Sequence, residues 1–157
     1  MTARPALLVE KLKSHPFLRG LERCHLELLE EAAMEVDFDE QEVIFQKGDP
    51  ANRFYLILSG AVVVGEPGGF PFQIVHAGEV VGWSAMFPPY TSHFDARALE
   101  KTRAIFFYGS WVLDKCETDH DLGYELMKRM GAVLVDRLQA RRKVIPAVRE
   151  SRAHAVA

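Results

Sequence analysis

Apolar positions recur at helical spacing along the first third of the chain. Leu7, Leu8, Leu12 and Phe17, punctuated by Pro16, predict one helix. Leu26, Leu29, Ala33 and Val36 predict a second. From Val43 the period changes. Short β-branched and aromatic runs at 43–46, 54–58, 61–64, 73–76 and 97–108 are separated by Gly, Pro and Asp, the last run interrupted by the charged EKTR. Runs of this length with turn signals between them predict an antiparallel barrel or sandwich, and GEPGGF reads as a hairpin connection.

Beyond Ser110 the helical period returns. DHDLGYELMKRMGAVLVDRLQARRKVI predicts one long amphipathic helix, with Asp119 or Asp121 at its start, basic residues late, and Pro146 as its stop. Its apolar stripe runs through Leu122, Leu126, Met127, Met130, Val133, Leu134, Leu138, Val144 and Ile145. A stripe this wide is usually buried twice, so the helix is expected to pack on its own barrel and, through its late 138–145 segment, to pair two copies of the chain; the alternative is a single core-facing helix. The expected organisation is one domain over 1–146, with a barrel at about 37–109 and the long helix at about 119–145, and an uninformative tail at 147–157.

Composition adds mainly exclusions. A net charge of −3 gives no push toward nucleic acid, and the basic ARRK at 140–143 reads as a solvated helix end complementing the dipole. No window approaches the roughly 18 apolar residues of a membrane helix, and charges interrupt MTARPALLVEKLKSH before a secretory core forms. The expected location is the cytoplasm, with no membrane partner. Cys24 and Cys116 lack metal-type spacing and read as idle thiols, and no metal site is expected. CETDH at 116–120 is a compact group with metal-type donors, but its place before the long helix favours a capping turn. Nucleophile-elbow, zinc-protease and phosphate-loop motifs are absent, so no enzyme activity is expected.

Two local patterns go further. FQKGDPANRFYLILSGAVVV sets Phe45, Gly48, Asp49, Tyr55 and Gly60 in an F-x-x-G-[DE] … Y-x-[ILV]-x-x-G arrangement. Gly48 and Gly60 permit tight turns between strands, and Asp49 can bond amides of its own turn. AGEVVG supplies a G-[DE]-x-[FVIL]-G sequence from Gly78 through Glu79 to Gly82. With the order helices, β-unit, long helix, these patterns resemble the cyclic-nucleotide-binding domain of the catabolite-activator/FNR sensor family, over roughly residues 15–145. The resemblance implies a mainly β fold, a jelly-roll-like double-stranded β-helix barrel with N-terminal helices and a long C-terminal helix. Barely a dozen residues follow Ile145, too few for a helix-turn-helix domain, so DNA binding by this chain alone is not expected.

The resemblance also places a ligand site. Gly78, Glu79, Gly82, Trp83, Ser84, Ala85, Thr91, Ser92, His93 and Arg97 fall on the family's phosphate-binding cassette and the strand after it. It implies cyclic AMP or cyclic GMP as ligand, with a Glu after the second glycine for the ribose and an Arg about ten residues on for the phosphate. Here Trp83 holds the Glu position, and Thr91 or Ser92 holds the Arg position. Loss of a charge-assisted bond to the ribose costs about 1.5–3 kcal/mol, and loss of the cation a similar amount. The remaining positive candidates are His93 and Arg97, which strand alternation would set on one face with Asp95. Three readings stay open: the aromatics from Trp83 to Tyr90 fill the pocket, they line a pocket for a flatter and less anionic ligand, or the site is an atypical cyclic-nucleotide site. The expected function is a stand-alone sensor module that binds a small ligand, a partner protein or both, and signals through a dimerising C-terminal helix. The alternative is a degenerate, ligand-free module serving as an interaction or assembly subunit.

Overall fold

The structure, a computed structural model, describes the backbone of residues 3–69 and 71–156 and the side chains of 8–69, 71 and 73–139. Helices α1 (Ala3–Ser14) and α2 (Arg23–Glu30) lead in, joined by a 3₁₀ turn at Pro16–Leu18. Eight strands follow: β1 (Met34–Phe38), β2 (Val43–Phe45), β3 (Arg53–Ser59), β4 (Ala61–Gly65), β5 (Pro71–His76), β6 (Val80–Val81), β7 (Asp95–Ala98) and β8 (Thr102–Tyr108). A short α3 (Gly109–Thr118) and a long α4 (His120–Val156) complete the fold.

The strands form two antiparallel four-stranded sheets, β1-β8-β3-β6 and β2-β7-β4-β5, facing each other as a jelly roll. β3 and β8 are buried on both faces, which explains why their sequences are near-continuous apolar runs. Tyr55, Ile57, Ala104 and Phe106 point between the sheets with Val62, Val64 and Val75. Phe54, Leu56, Ile105 and Phe107 point the other way, into a second core closed by the helices through Leu12, Leu29, Leu122, Leu126 and Met130. α4 is thereby fixed to the back of the first sheet over its first three turns.

Several local expectations meet their geometry. Gly48 and Gly60 lie at φ +92° and +94°, and Asp49 accepts the Gln46 amide at 3.0 Å. Asp119 caps α4, accepting the Leu122 amide at 3.1 Å.

Two expectations are corrected. The second helix ends at Glu30, and Val36 lies in β1, paired with Ala104 of β8. Helical spacing there is a weak prior that cross-strand pairing overrides. Pro146 does not stop α4, which runs on to Val156. A proline forfeits one backbone bond, whereas propagating an established helix gains one per residue, so the turns on either side carry the helix across. The expected side-chain roles of 140–143, Val144, Ile145 and the tail at 147–157 lie outside the described residues, as does that of Leu7.

Candidate functional site

A cavity of about 470 Å³ opens between the barrel and α4. Its floor is Val64 of β4 and Val81 of β6, with Phe45 and Phe94 at the sides. One wall is the start of the 3₁₀ turn Trp83–Met86, contributing Gly82, Trp83 and Ser84. His93 faces that wall, its ring 6.0 Å from the Trp83 ring at 68°, an edge-on packing. Leu134, Arg137 and Leu138 of α4 form the roof.

Local sequence explains this shape. Gly82 sits at φ +88°, and a Cβ there would stand 2.7 Å from the Arg53 carbonyl oxygen and 3.2 Å from the Tyr55 ring. Only glycine lets the chain leave β6 this close to β3 and turn at once into the 3₁₀ segment. Trp83 is half-buried and stands along the wall rather than in the void. Ala85, 2% exposed, lies on the opposite side of the turn, where its carbonyl oxygen would be 2.3 Å from a Cβ on Gly109. The cassette turn and the start of α3 are therefore in direct backbone contact.

Of the residues expected at the site, Gly82, Trp83, Ser84 and His93 converge on the cavity. Gly78 and Glu79 line a neighbouring hollow of about 300 Å³ on the other side of Arg137, with Pro16, Arg129 and Asp136. Glu79 accepts the His76 amide at 2.6 Å and so closes its own turn. Ser92 is buried and lines a third hollow with Asp49, Arg53 and Tyr55. Thr91 pairs across to Pro50, and its hydroxyl donates to the Pro89 carbonyl at 3.3 Å. Arg97 points outward and is exposed, because Ala96 and Ala98 occupy the inward positions of β7 at 0% exposure. The expected common face for His93, Asp95 and Arg97 is corrected: β7 begins only at Asp95, so His93 escapes strand alternation and turns to Trp83. The Asp95 carboxylate instead accepts the Lys47 amide at 2.7 Å.

Sequence reasoning missed Arg137. Its guanidinium donates to the Val80 carbonyl of β6, from a half-buried position on the cavity roof. Burial lowers its pKa from the ordinary value, partly offset by the nearby Glu79 and Asp136 carboxylates. The usable signal was an arginine at i+3 from Leu134, beside Leu138, inside an otherwise apolar helical face. The cavity is thus an apolar box with an indole wall, a serine hydroxyl, an imidazole and one guanidinium.

A cyclic nucleotide-binding domain family model matches residues 35–119, more than half of the chain. The chain belongs to the cyclic nucleotide-binding domain family. It is 27% identical over 120 residues to a CRP-like cAMP-activated global transcriptional regulator of Mycobacterium tuberculosis, covering 71% of this chain and 54% of the relative. It is also 40% identical over 58 residues to a cAMP-dependent protein kinase regulatory subunit of Dictyostelium discoideum, covering 37% of this chain and 18% of that one. The chain spans about half the length of the first of these relatives. Among solved structures, a Geobacter metallireducens protein superposes with a TM-score of 0.76 at 26% identity, covering 82% of this chain and 96% of its own. A cyclic nucleotide-binding domain from Methylobacillus flagellatus gives 0.75 at 16% identity, covering 92% and 84%, a likeness of fold. Both curated relatives are regulatory proteins by name. Among the described residues no helix is long and apolar enough to cross a membrane.

Proposed function

We propose that the chain is a regulatory module that takes a flat, singly anionic ligand of the cyclic-nucleotide class into the cavity beneath α4. One observation carries this reading: Leu134, Arg137 and Leu138 of α4 line the same cavity as Trp83, Ser84 and His93 of the cassette. A ligand there touches barrel and helix together, so occupancy has differential contacts with which to shift the helix. Trp83 and Phe94 supply flat apolar surfaces for a base, and Arg137 supplies a cation that does not depend on the cassette. The cAMP named for the mycobacterial and Dictyostelium relatives makes cyclic AMP the first ligand to test.

The output surface we assign to α4 is the side turned away from the barrel. Tyr124 and Val135 are exposed there at 65% and 56%, and a Cβ on Gly131 would meet nothing within 4 Å. Helical geometry puts these residues on one stripe opposite Leu122, Leu126 and Met130, suited to pairing with the same helix of a second copy. Calorimetric titration with cyclic AMP and cyclic GMP tests the ligand reading. Micromolar binding to either supports it. Absence of heat, with no change in thermal unfolding, favours instead a ligand-free interaction module, which the missing cassette carboxylate at Trp83 would suit.

A further inference from the structure

We propose that Glu22, Cys24 and His25, at the start of α2, form a binding site for a divalent metal ion of the zinc class. One ligand atom from each residue lies within 4.8 Å of the others. Thiolate, imidazole and carboxylate together form a donor set that Zn²⁺ and Co²⁺ accept.

His25 provides the independent observation. Its side chain is 8% exposed, and Nδ1 is buried with no hydrogen-bond partner. Buried polar atoms are rarely left unpaired, so an orphaned imidazole nitrogen calls for an explanation. Nε2 is already engaged, 3.2 Å from Asp119 Oδ2. With the ring proton on Nε2 facing that carboxylate, Nδ1 carries the lone pair, which is the tautomer a metal requires. A carboxylate behind a ligating histidine is the usual outer-shell arrangement, fixing ring orientation and raising basicity. Asp119 is itself held by the Leu122 amide, so its place is set by the start of α4.

The remaining geometry is close to a closed site. Tetrahedral zinc with bonds of about 2.0–2.3 Å sets its ligand atoms roughly 3.3–3.8 Å apart. The Glu22 and Cys24 side chains are both exposed and can close the difference by rotation. The Cys24 thiol lies 3.6 Å from Glu22 Oε2. Metal binding replaces that contact with a metal–sulfur bond and releases the thiol proton to solvent. Three protein ligands leave the fourth position to water. The positive end of the α2 dipole opposes the cation, which makes the site weaker than a four-ligand structural zinc centre.

The position has a regulatory consequence. The His25–Asp119 pair ties α2 to the junction between α3 and α4, and α4 roofs the cavity. A cation on Nδ1 strengthens the Nε2–H donor and hence the tie to the first turn of α4. The metal site is separate from the ligand cavity and stands whether or not that cavity binds a nucleotide.

The test is a Co²⁺ titration of the reduced, metal-free 157-residue chain, read by absorption. One equivalent should bind with a thiolate-to-cobalt charge-transfer band that Zn²⁺ abolishes. The band should vanish in Cys24→Ser and persist in Cys116→Ser, with both variants unfolding like the parent chain in chelator. Asp119→Asn should keep the band but weaken Co²⁺ binding roughly 10- to 100-fold. Lack of the band in the parent chain, or its survival in Cys24→Ser, overturns the site. Unchanged affinity in Asp119→Asn overturns the assignment of His25 Nδ1 as ligand.

Discussion

Arg137→Gln is the substitution that most sharply separates charge recognition from shape. In the parent chain the guanidinium donates to the Val80 carbonyl and reaches the cavity roof between Leu134 and Leu138. A glutamine amide can keep a donor near Val80 while removing the charge. A neutral hydrogen bond is worth about 1 kcal/mol net, and relief of guanidinium burial offsets part of any loss, so stability should change by no more than about 1 kcal/mol. A charge-assisted bond to a ligand phosphate is worth about 1.5–3 kcal/mol, and 1.4 kcal/mol is a factor of ten, so cyclic AMP should weaken roughly 10- to 150-fold. Adenosine, which lacks the phosphate, should be affected less than about twofold, because its stacking surfaces at Trp83 and Phe94 are untouched.

Competition titrations of the two ligands, monitored by tryptophan fluorescence in a Trp111→Phe background, give both affinities in one format. The ratio of cyclic AMP to adenosine affinity should collapse toward one in Arg137→Gln. Equal weakening of both ligands would mean that Arg137 only braces α4. No weakening of either would refute its role altogether.

Gly82→Ala adds a Cβ 2.7 Å from a backbone oxygen at φ +88° and should cost about 2–4 kcal/mol in urea unfolding; Gly68→Ala, at φ +65° with nothing within 4 Å, should cost only about 1–2 kcal/mol. Val135→Glu should convert a dimer to a monomer in sedimentation equilibrium while leaving the far-ultraviolet circular dichroism unchanged, and a monomeric parent chain would contradict the assignment of that stripe. His15 is buried and neutral, with Nδ1 accepting the Phe17 amide and Nε2 facing the Ile57 carbonyl, both at 3.1 Å. Burial lowers its pKa from 6.5, with the backbone bonds to Ile57 and Glu79 opposing, so below about pH 6.5 the unfolded chain binds more protons and stability falls as pH drops toward the folded value. His15→Gln should flatten that fall in urea midpoints between about pH 7.5 and 5.5, and an equally steep profile would show that other groups carry it.

The barrel was legible wherever a local rule governed the chain. Gly48, Gly60 and Gly82 mark turns because their backbone needs positive φ, and β3 and β8 show as apolar runs because both faces are buried. The start of β1, as far as Val36, carries helical spacing, because its identity comes from pairing with β8, about 70 residues away in sequence, and not from its own pattern. The outward face of Arg97 followed from the small inward alanines at 96 and 98, which became informative only once the limits of β7 were known. In sequence Arg137 shows only as a charge within an apolar stripe; its partner, Val80, is distant along the chain, and the packing of α4 brings them together. The same holds for His25 and Asp119, which sequence places in unrelated segments.

The proposed ligand position lies between the cassette wall and α4. Its most direct test is a two-dimensional nitrogen–proton spectrum of the chain titrated with cyclic AMP. The Trp83 indole N–H and the amides of Gly82, Ser84, His93, Leu134 and Arg137 should shift together and saturate at one ligand per chain, while the Trp111 indole and the exposed β7 position Arg97 should stay still. Unshifted Trp83, or shifts confined to the cassette with α4 silent, would contradict it.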